Sequence, residues 1–135
     1  MVQAATRQLR TLPYATGYFD FASEPAIRLA AKLAEITPAS LTRVYLTLGG
    51  SEAVDAVVRF IVQYWNAVGR PHKKQFISLE RGYHGSSSTG AGLTALPVFH
   101  RGFDLPLATQ HYISSPYPYR HEQGADESAR QRCAF

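Results

Sequence analysis

The stretch Arg43-Val44-Tyr45-Leu46-Thr47-Leu48-Gly49-Gly50-Ser51-Glu52-Ala53-Val54-Asp55 decides how this chain reads. Its first half, Arg43 to Leu48, has the β-branched and aromatic content of a buried strand. Two glycines then turn the chain, and a long helix is predicted from Ser51. A strand that feeds a helix through paired glycines points unpaired backbone N–H groups beyond the strand's C-terminal end. Together with the positive end of the helix dipole they make a site for an anion, most often phosphate. The plainer alternative is that Ser51 caps the helix and the glycines only turn the chain.

Downstream, Val54, Val57, Val58, Ile61, Val62, Trp65 and Val68 fall on one helical face, with Asp55, Arg59, Gln63 and Asn66 on the other. A helix over 51–68 would run about 27 Å, enough to cross a sheet face. Gly69 suits a left-handed cap and Pro71 stops any continuation. A second strand is predicted over 75–79, so strand, helix and strand should form a parallel pair. That strand ends at Glu80-Arg81-Gly82-Tyr83-His84-Gly85, again a glycine-flanked turn at a carboxyl edge, where open α/β sheets bind ligands. The Ser51 helix start and the Tyr83 turn should therefore meet at one edge. Glu52 and Asp55 would oppose a close anion, so both must point aside. Tyr83 offers a flat ring on which a planar cofactor could stack; otherwise it is a buried tyrosine beside a surface histidine.

Upstream, residues 1–12 show no clear period and read as a loose lead-in. Residues 13–21 gather four aromatics around Gly17, in a loop or short extended piece. Ser23 or Glu24 can cap a helix with Pro25 in its first turn; Ala26, Leu29, Ala30, Leu33 and Ile36 share its apolar face. Thr37-Pro38 ends it, and Lys32 and Glu35 lie on its solvated side. Past Gly85, residues 86–96 are small and glycine-broken, predicting a short, mobile helix. Residues 100–106 read as a loop, 110–114 as a third strand, and 121–135 as a polar, aperiodic tail. The organisation expected is a lead-in over 1–22, a partial large domain over 23–120 and a disordered tail over 121–135.

Composition narrows the classes. The 135 residues are 45% hydrophobic and 18% charged, a globular balance. Net charge is +4, yet Lys and Arg are scattered and form no nucleic-acid or membrane patch. A lone Cys133 and the absence of a signal-like or membrane-spanning run point to a cytoplasmic protein. Ser86-Ser87-Ser88 does not make a nucleophile elbow, because Gly90 falls one position late. Neither glycine turn is a P-loop or a G-x-G-x-x-G fingerprint. His72, His84, His100, His111 and His121 lack metal-ligand spacing.

Thr47-Leu48-Gly49-Gly50-Ser51-Glu52-Ala53, followed about thirty residues later by Gly82-Tyr83-His84-Gly85, closely resembles the class III aminotransferases. These are pyridoxal-phosphate enzymes of fold type I, often called ω-transaminases, whose usual pattern is T-N-S-G-S-E-A with G-Y-H-G. The resemblance spans about Leu12 to Arg120, including Glu24-Pro25-Ala26 and Gly69-Arg70-Pro71. It implies an α/β fold: part of a fold type I large domain, βαβ units with mainly parallel strands and an N-terminal helix. It implies pyridoxal 5'-phosphate as cofactor, with Gly50 and Ser51 on the phosphate and Gly49 adjoining. Tyr83 would stack on the ring with His84 beside it, and Tyr18 or Phe19 would line the substrate pocket. The implied activity moves an amino group between an amine or ω-amino acid and an oxo acid such as pyruvate, in a homodimer.

Leu48 and Gly49 depart from the pattern's asparagine and serine, removing an amide and a hydroxyl from the loop. The Schiff-base lysine of the family has no counterpart here. Lys32, Lys73 and Lys74 are the lysines of this chain, and none is placed to reach a ring beside Tyr83. The chain thus reads as the front third of such an enzyme, inactive alone. The alternative is a non-catalytic α/β module, derived from such an enzyme, that binds an anion or a partner subunit.

Overall fold

A computed structural model describes residues 1–17 and 21–115. The chain divides into two compact units, Met1–Leu46 and Thr47–Phe135.

The first unit holds two helices. α1 spans Val2–Thr11 where a loose lead-in is expected. Gln3, Ala4 and Gln8 are good helix formers, and Val2, Ala5 and Leu9 recur at helical spacing, so a short, sparse apolar face that the lead-in reading passes over accompanies the propensity. Its end is tied by Gln8 Nε2 donating to Leu12 O at 3.2 Å and Thr11 Oγ1 to Arg7 O at 3.0 Å. α2 spans Glu24–Ile36, with Pro25 in its first turn and Ser23 at the cap position. The Ser23 side chain makes no capping hydrogen bond, so the proline and Glu24 set this start. Thr37 leaves the helix in an extended conformation, as a residue before proline must, and its Oγ1 donates to Leu33 O at 2.8 Å. Lys32 and Glu35 pair in solvent at 2.9 Å.

Residues 43–48 form no strand, against the sequence expectation, and no ladder among the described residues includes them. An apolar run reports a capacity to be buried in a sheet but carries no information about which strand it pairs with. The parallel pair forms instead between β1, Phe76–Leu79, and β2, Gln110–Ile113, with Phe76 opposite Gln110 and Leu79 opposite Ile113. The predicted third strand is therefore the partner of the second.

α3 spans Gly50–Ala67, one residue ahead of the predicted range. It closes on Gly69 at φ +71, whose N–H donates to Asn66 O at 3.1 Å while Arg70 N–H donates to Trp65 O at 2.8 Å. This paired closure satisfies the last carbonyls of the helix. Lys73 Nζ then sits 4.0 Å over the Trp65 ring.

α4, Ser88–Leu93, links the strands and is the most buried element of this unit, not a mobile one. The glycines that read as breakers let it lie close to the sheet. A side chain at Gly92 would collide with the Gln110 amide, and one at Gly90 would meet His84 O at 2.8 Å. Ser78 Oγ donates to Leu93 O at 2.7 Å, Gln110 Nε2 to Thr89 O at 3.0 Å and the Tyr112 hydroxyl to Gly92 O at 2.5 Å. These bonds make α4 a lid on one sheet face, carrying Ala91 and Leu93 into the core. No helix among the described residues is long and apolar enough to cross a membrane.

Candidate functional site

Two turns build the site. The first is the start of α3. Gly49 is its N-cap, with φ −169 and ψ 176, extended geometry that any residue adopts. No atom lies within 4 Å of where a Cβ would stand at Gly49 or Gly50. Neither backbone strain nor packing therefore demands glycine here. What the glycines leave is bare backbone open to approach, above the N–H groups of the first helical turn, which have no intrahelical acceptor. No side chain caps this end. Such a cradle fits a phosphate, held by N–H donors and the helix dipole. Ser51 does not act as the cap; its hydroxyl is committed elsewhere.

That commitment is to the second turn. Ser51 Oγ accepts the Ser86 N–H at 3.2 Å. Gly85 is buried with φ +124, a conformation that disfavours side chains, and a Cβ there would meet Ser51 Oγ at 2.7 Å and Ser51 Cα at 2.9 Å. Glycine at 85 is thus required both by backbone angle and by the approach of α3. One helical turn on, Asp55 Oδ1 accepts the Ser87 hydroxyl at 2.7 Å. Asp55 is turned aside from the cradle, as expected, and Glu52 is exposed.

The Gly82–Gly85 turn is held from below by Thr94, which is fully buried. Thr94 Oγ1 accepts the His84 N–H at 2.8 Å and lies 2.9 Å from Gly90 O and 3.1 Å from Gly85 O, donating its one proton there. Ala95 N–H adds a bond to Gly82 O at 3.0 Å. Arg81, at φ +65, turns the chain out of β1. With its backbone fixed, Tyr83 presents a ring that is 59% exposed and braced at 5.5 Å by Phe99. His84 is half-buried, with its ring folded over Gly82.

Tyr83 and His84 line an open apolar groove of about 590 Å³ with Ala53, Val54 and Val57 of α3 and the length of β1. Tyr83 and His84 line this groove while Gly49, Gly50 and Ser51 do not; the helix start meets the second turn through Ser51, at Gly85 and Ser86. Tyr18 and Phe19 lie outside the described residues. Lys73 is pinned on Trp65, fourteen residues along α3 from Ser51, or roughly 21 Å at the helical rise. Sequence reasoning missed Thr94, which carries no local signal. It weighed Ser87 only as part of a nucleophile pattern, although a serine three residues before Gly90 is a helix-cap signature, and Gly90 N–H does donate to Ser87 Oγ at 3.1 Å.

The family model described as "Aminotransferase class-III" matches residues 1–134. The putrescine–pyruvate aminotransferase of Pseudomonas aeruginosa is 39% identical over 128 residues, which cover 95% of this chain and 28% of that protein. The mitochondrial gamma aminobutyrate transaminase 1 of Solanum lycopersicum is 38% identical over 122 residues, 90% of this chain and 24% of that protein. Among solved structures, the omega transaminase of Pseudomonas jessenii in complex with PMP superposes with a TM-score of 0.91 at 40% identity. That match covers 98% of this chain and 30% of the other. The fold is accordingly the expected one, part of a fold type I α/β domain of helices and parallel strands. The chain spans about a quarter of the length of the curated relatives it matches.

Proposed function

The chain belongs to the class III aminotransferases, and on that premise we propose that it supplies the phosphate cradle and ring platform of a pyridoxal 5'-phosphate-dependent transaminase. The reaction in view moves an amino group between an amine or ω-amino acid and an oxo acid such as pyruvate. When bound, the cofactor supplies an electron sink for the carbanion chemistry of amino transfer. The chain's own residues bind and orient. The backbone of Gly50 and Ser51, with Gly49 adjoining, holds the phosphate; Tyr83 stacks on the ring with His84 beside it; Tyr18 or Phe19 lines the substrate pocket. Each phosphate–N–H bond is worth about 1.5–3 kcal/mol, so two or three suffice to seat the group. Lys73 is occupied on Trp65, and no lysine is assigned the covalent role. A transaminase in which this chain takes part would operate as a cytoplasmic dimer.

The observation that carries this reading is the open space at Gly49 and Gly50 beside a turn anchored to Ser51. Gly50→Ala tests it. Alanine suits a helical position better than glycine, so stability should rise by about 0.5–1 kcal/mol. The added methyl would occupy the cradle, so affinity for pyridoxal 5'-phosphate should fall several-fold. Affinity that holds or rises with stability would overturn the cradle. The purified chain should form no alanine from pyruvate and an amine donor.

A second reading has its own observation. Val57 and Ile77 are 54% and 64% exposed on the facing walls of the groove. Such a face suits a module that docks on a longer subunit. Amine-dependent alanine formation by the chain alone would eliminate this reading.

A further inference from the structure

Ser51 and Asp55 stand four residues apart on one face of α3, and both reach the chain just after the Tyr83 turn. Ser51 Oγ accepts the Ser86 N–H at 3.2 Å and Asp55 Oδ1 accepts the Ser87 hydroxyl at 2.7 Å, while Gly85 packs against Ser51 without room for a Cβ. The helix start and the turn are thereby joined by two hydrogen bonds and one close backbone contact. We propose that Asp55 and Ser87 are positioning residues, which fix the distance between the cradle at Gly50–Ser51 and the ring of Tyr83. The inference rests on the cofactor reading above and adds to it a specific device for aligning its two halves.

The physical argument concerns linkage. A ligand with a phosphate and a ring gains from both sites only if their spacing is set before it binds. Ser87 is bonded on both sides: it accepts the Gly90 N–H at 3.1 Å, capping α4, and donates to Asp55. Asp55 thus couples α3 to α4, and α4 carries the Tyr83 turn through Gly90, Thr94 and His84. Without the carboxylate, only the longer Ser51–Ser86 bond and the Gly85 contact would hold the two turns together. The coupling needs an acceptor at residue 55, not a charge. A carboxylate near a helix start opposes anions, so its presence calls for a reason other than phosphate binding.

The test uses the whole chain and three probes: inorganic phosphate, pyridoxine and pyridoxine 5'-phosphate. The last two are alcohols that cannot condense with lysine. Asp55→Ala and Ser87→Ala should each lower affinity for pyridoxine 5'-phosphate about tenfold, as expected for loss of a hydrogen bond that sets geometry. Inorganic phosphate should bind as before or slightly tighter. Asp55→Asn and Ser87→Thr keep acceptor and donor and should retain the advantage of the joined ligand. Hydrogen exchange at the Ser86 amide should quicken in the alanine variants and not in the conservative ones. If phosphate and pyridoxine 5'-phosphate weaken in step, the pair is merely structural and the proposal fails. If the parent chain binds and the alanine variants match it, the proposal fails while the cradle stands. If the parent chain binds neither phosphate probe, the cradle reading and this inference fall together.

Discussion

Thr94 shows how much a single buried hydroxyl can organise. It accepts from the His84 backbone and donates toward the Gly85 and Gly90 carbonyls, so three backbone groups from two segments meet on one oxygen. Thr94→Val keeps the volume but strands a buried N–H and a carbonyl. The expected cost is about 1–3 kcal/mol by chemical denaturation, while Thr94→Ser should recover most of it. Tyr112 behaves differently because it titrates. Burial holds its phenol above the usual value near 10; its neutral hydroxyl donates to Gly92 O, and its ring stacks on that of His100 at 5.9 Å. A group with a raised folded pKa contributes stability that is intact below the unfolded pKa and lost as pH rises through the folded one. Stability should therefore fall as pH climbs past about 10. Tyr112→Phe should cost about 1 kcal/mol at neutral pH and reduce that alkaline loss, read as the difference between the two unfolding profiles.

At the scale of elements, two glycines of similar appearance do opposite things. Gly69 ends α3 at φ +71 with nothing within 4 Å of a Cβ, so alanine there meets backbone strain alone. Gly69→Ala should cost about 1 kcal/mol in thermal unfolding and leave ligand binding untouched. Gly50 has ordinary geometry and an equally open Cβ position, so alanine there should gain stability while weakening binding, the reverse of Gly69 on both counts. The same contrast explains what was legible. α2 and α3 could be read from the chain because a 3.6-residue period coincides with Pro25, Thr37-Pro38 and Gly69. The two turns at Gly49–Gly50 and Gly82–Gly85 were legible because glycines flanking a periodic helix or strand mark a turn locally. α1 is harder to read, since Val2, Ala5 and Leu9 make a face of only three small-to-medium apolar residues in a polar stretch. α4 was mistaken for a mobile segment because glycine allows close packing as readily as it breaks helices, and only the opposing Gln110 decides which. The strand over 43–48 failed for want of a ladder partner, and the Asp55–Ser87 bond joins residues that no local pattern relates.

On the scale of the whole molecule, the second unit carries a sheet of two strands, fewer than usually stand alone. Phe76 N–H donates to Thr109 O, just ahead of β2, at 2.8 Å, and Glu80 N–H to Ile113 O at the end of β2 at 2.9 Å. Backbone groups alternate along a strand, so those of Ile77 and Leu79 face the opposite edge, which takes no strand among the described residues. Ile77 at 64% and Leu79 at 40% exposure add apolar side chains on the sheet face next to that edge, along the groove of α3. An open, apolar strand edge recruits further strands. The chain should therefore self-associate as its concentration rises, with apolar-dye binding that declines in parallel, measured by sedimentation and fluorescence. Ile77→Lys places a charge where pairing would occur. Because the residue is already largely exposed, the change should alter stability by less than about 0.5 kcal/mol while shifting the chain toward monomer. A parent chain that stays monomeric throughout, or a lysine variant that associates equally well, would overturn the reading of this edge as the site of association.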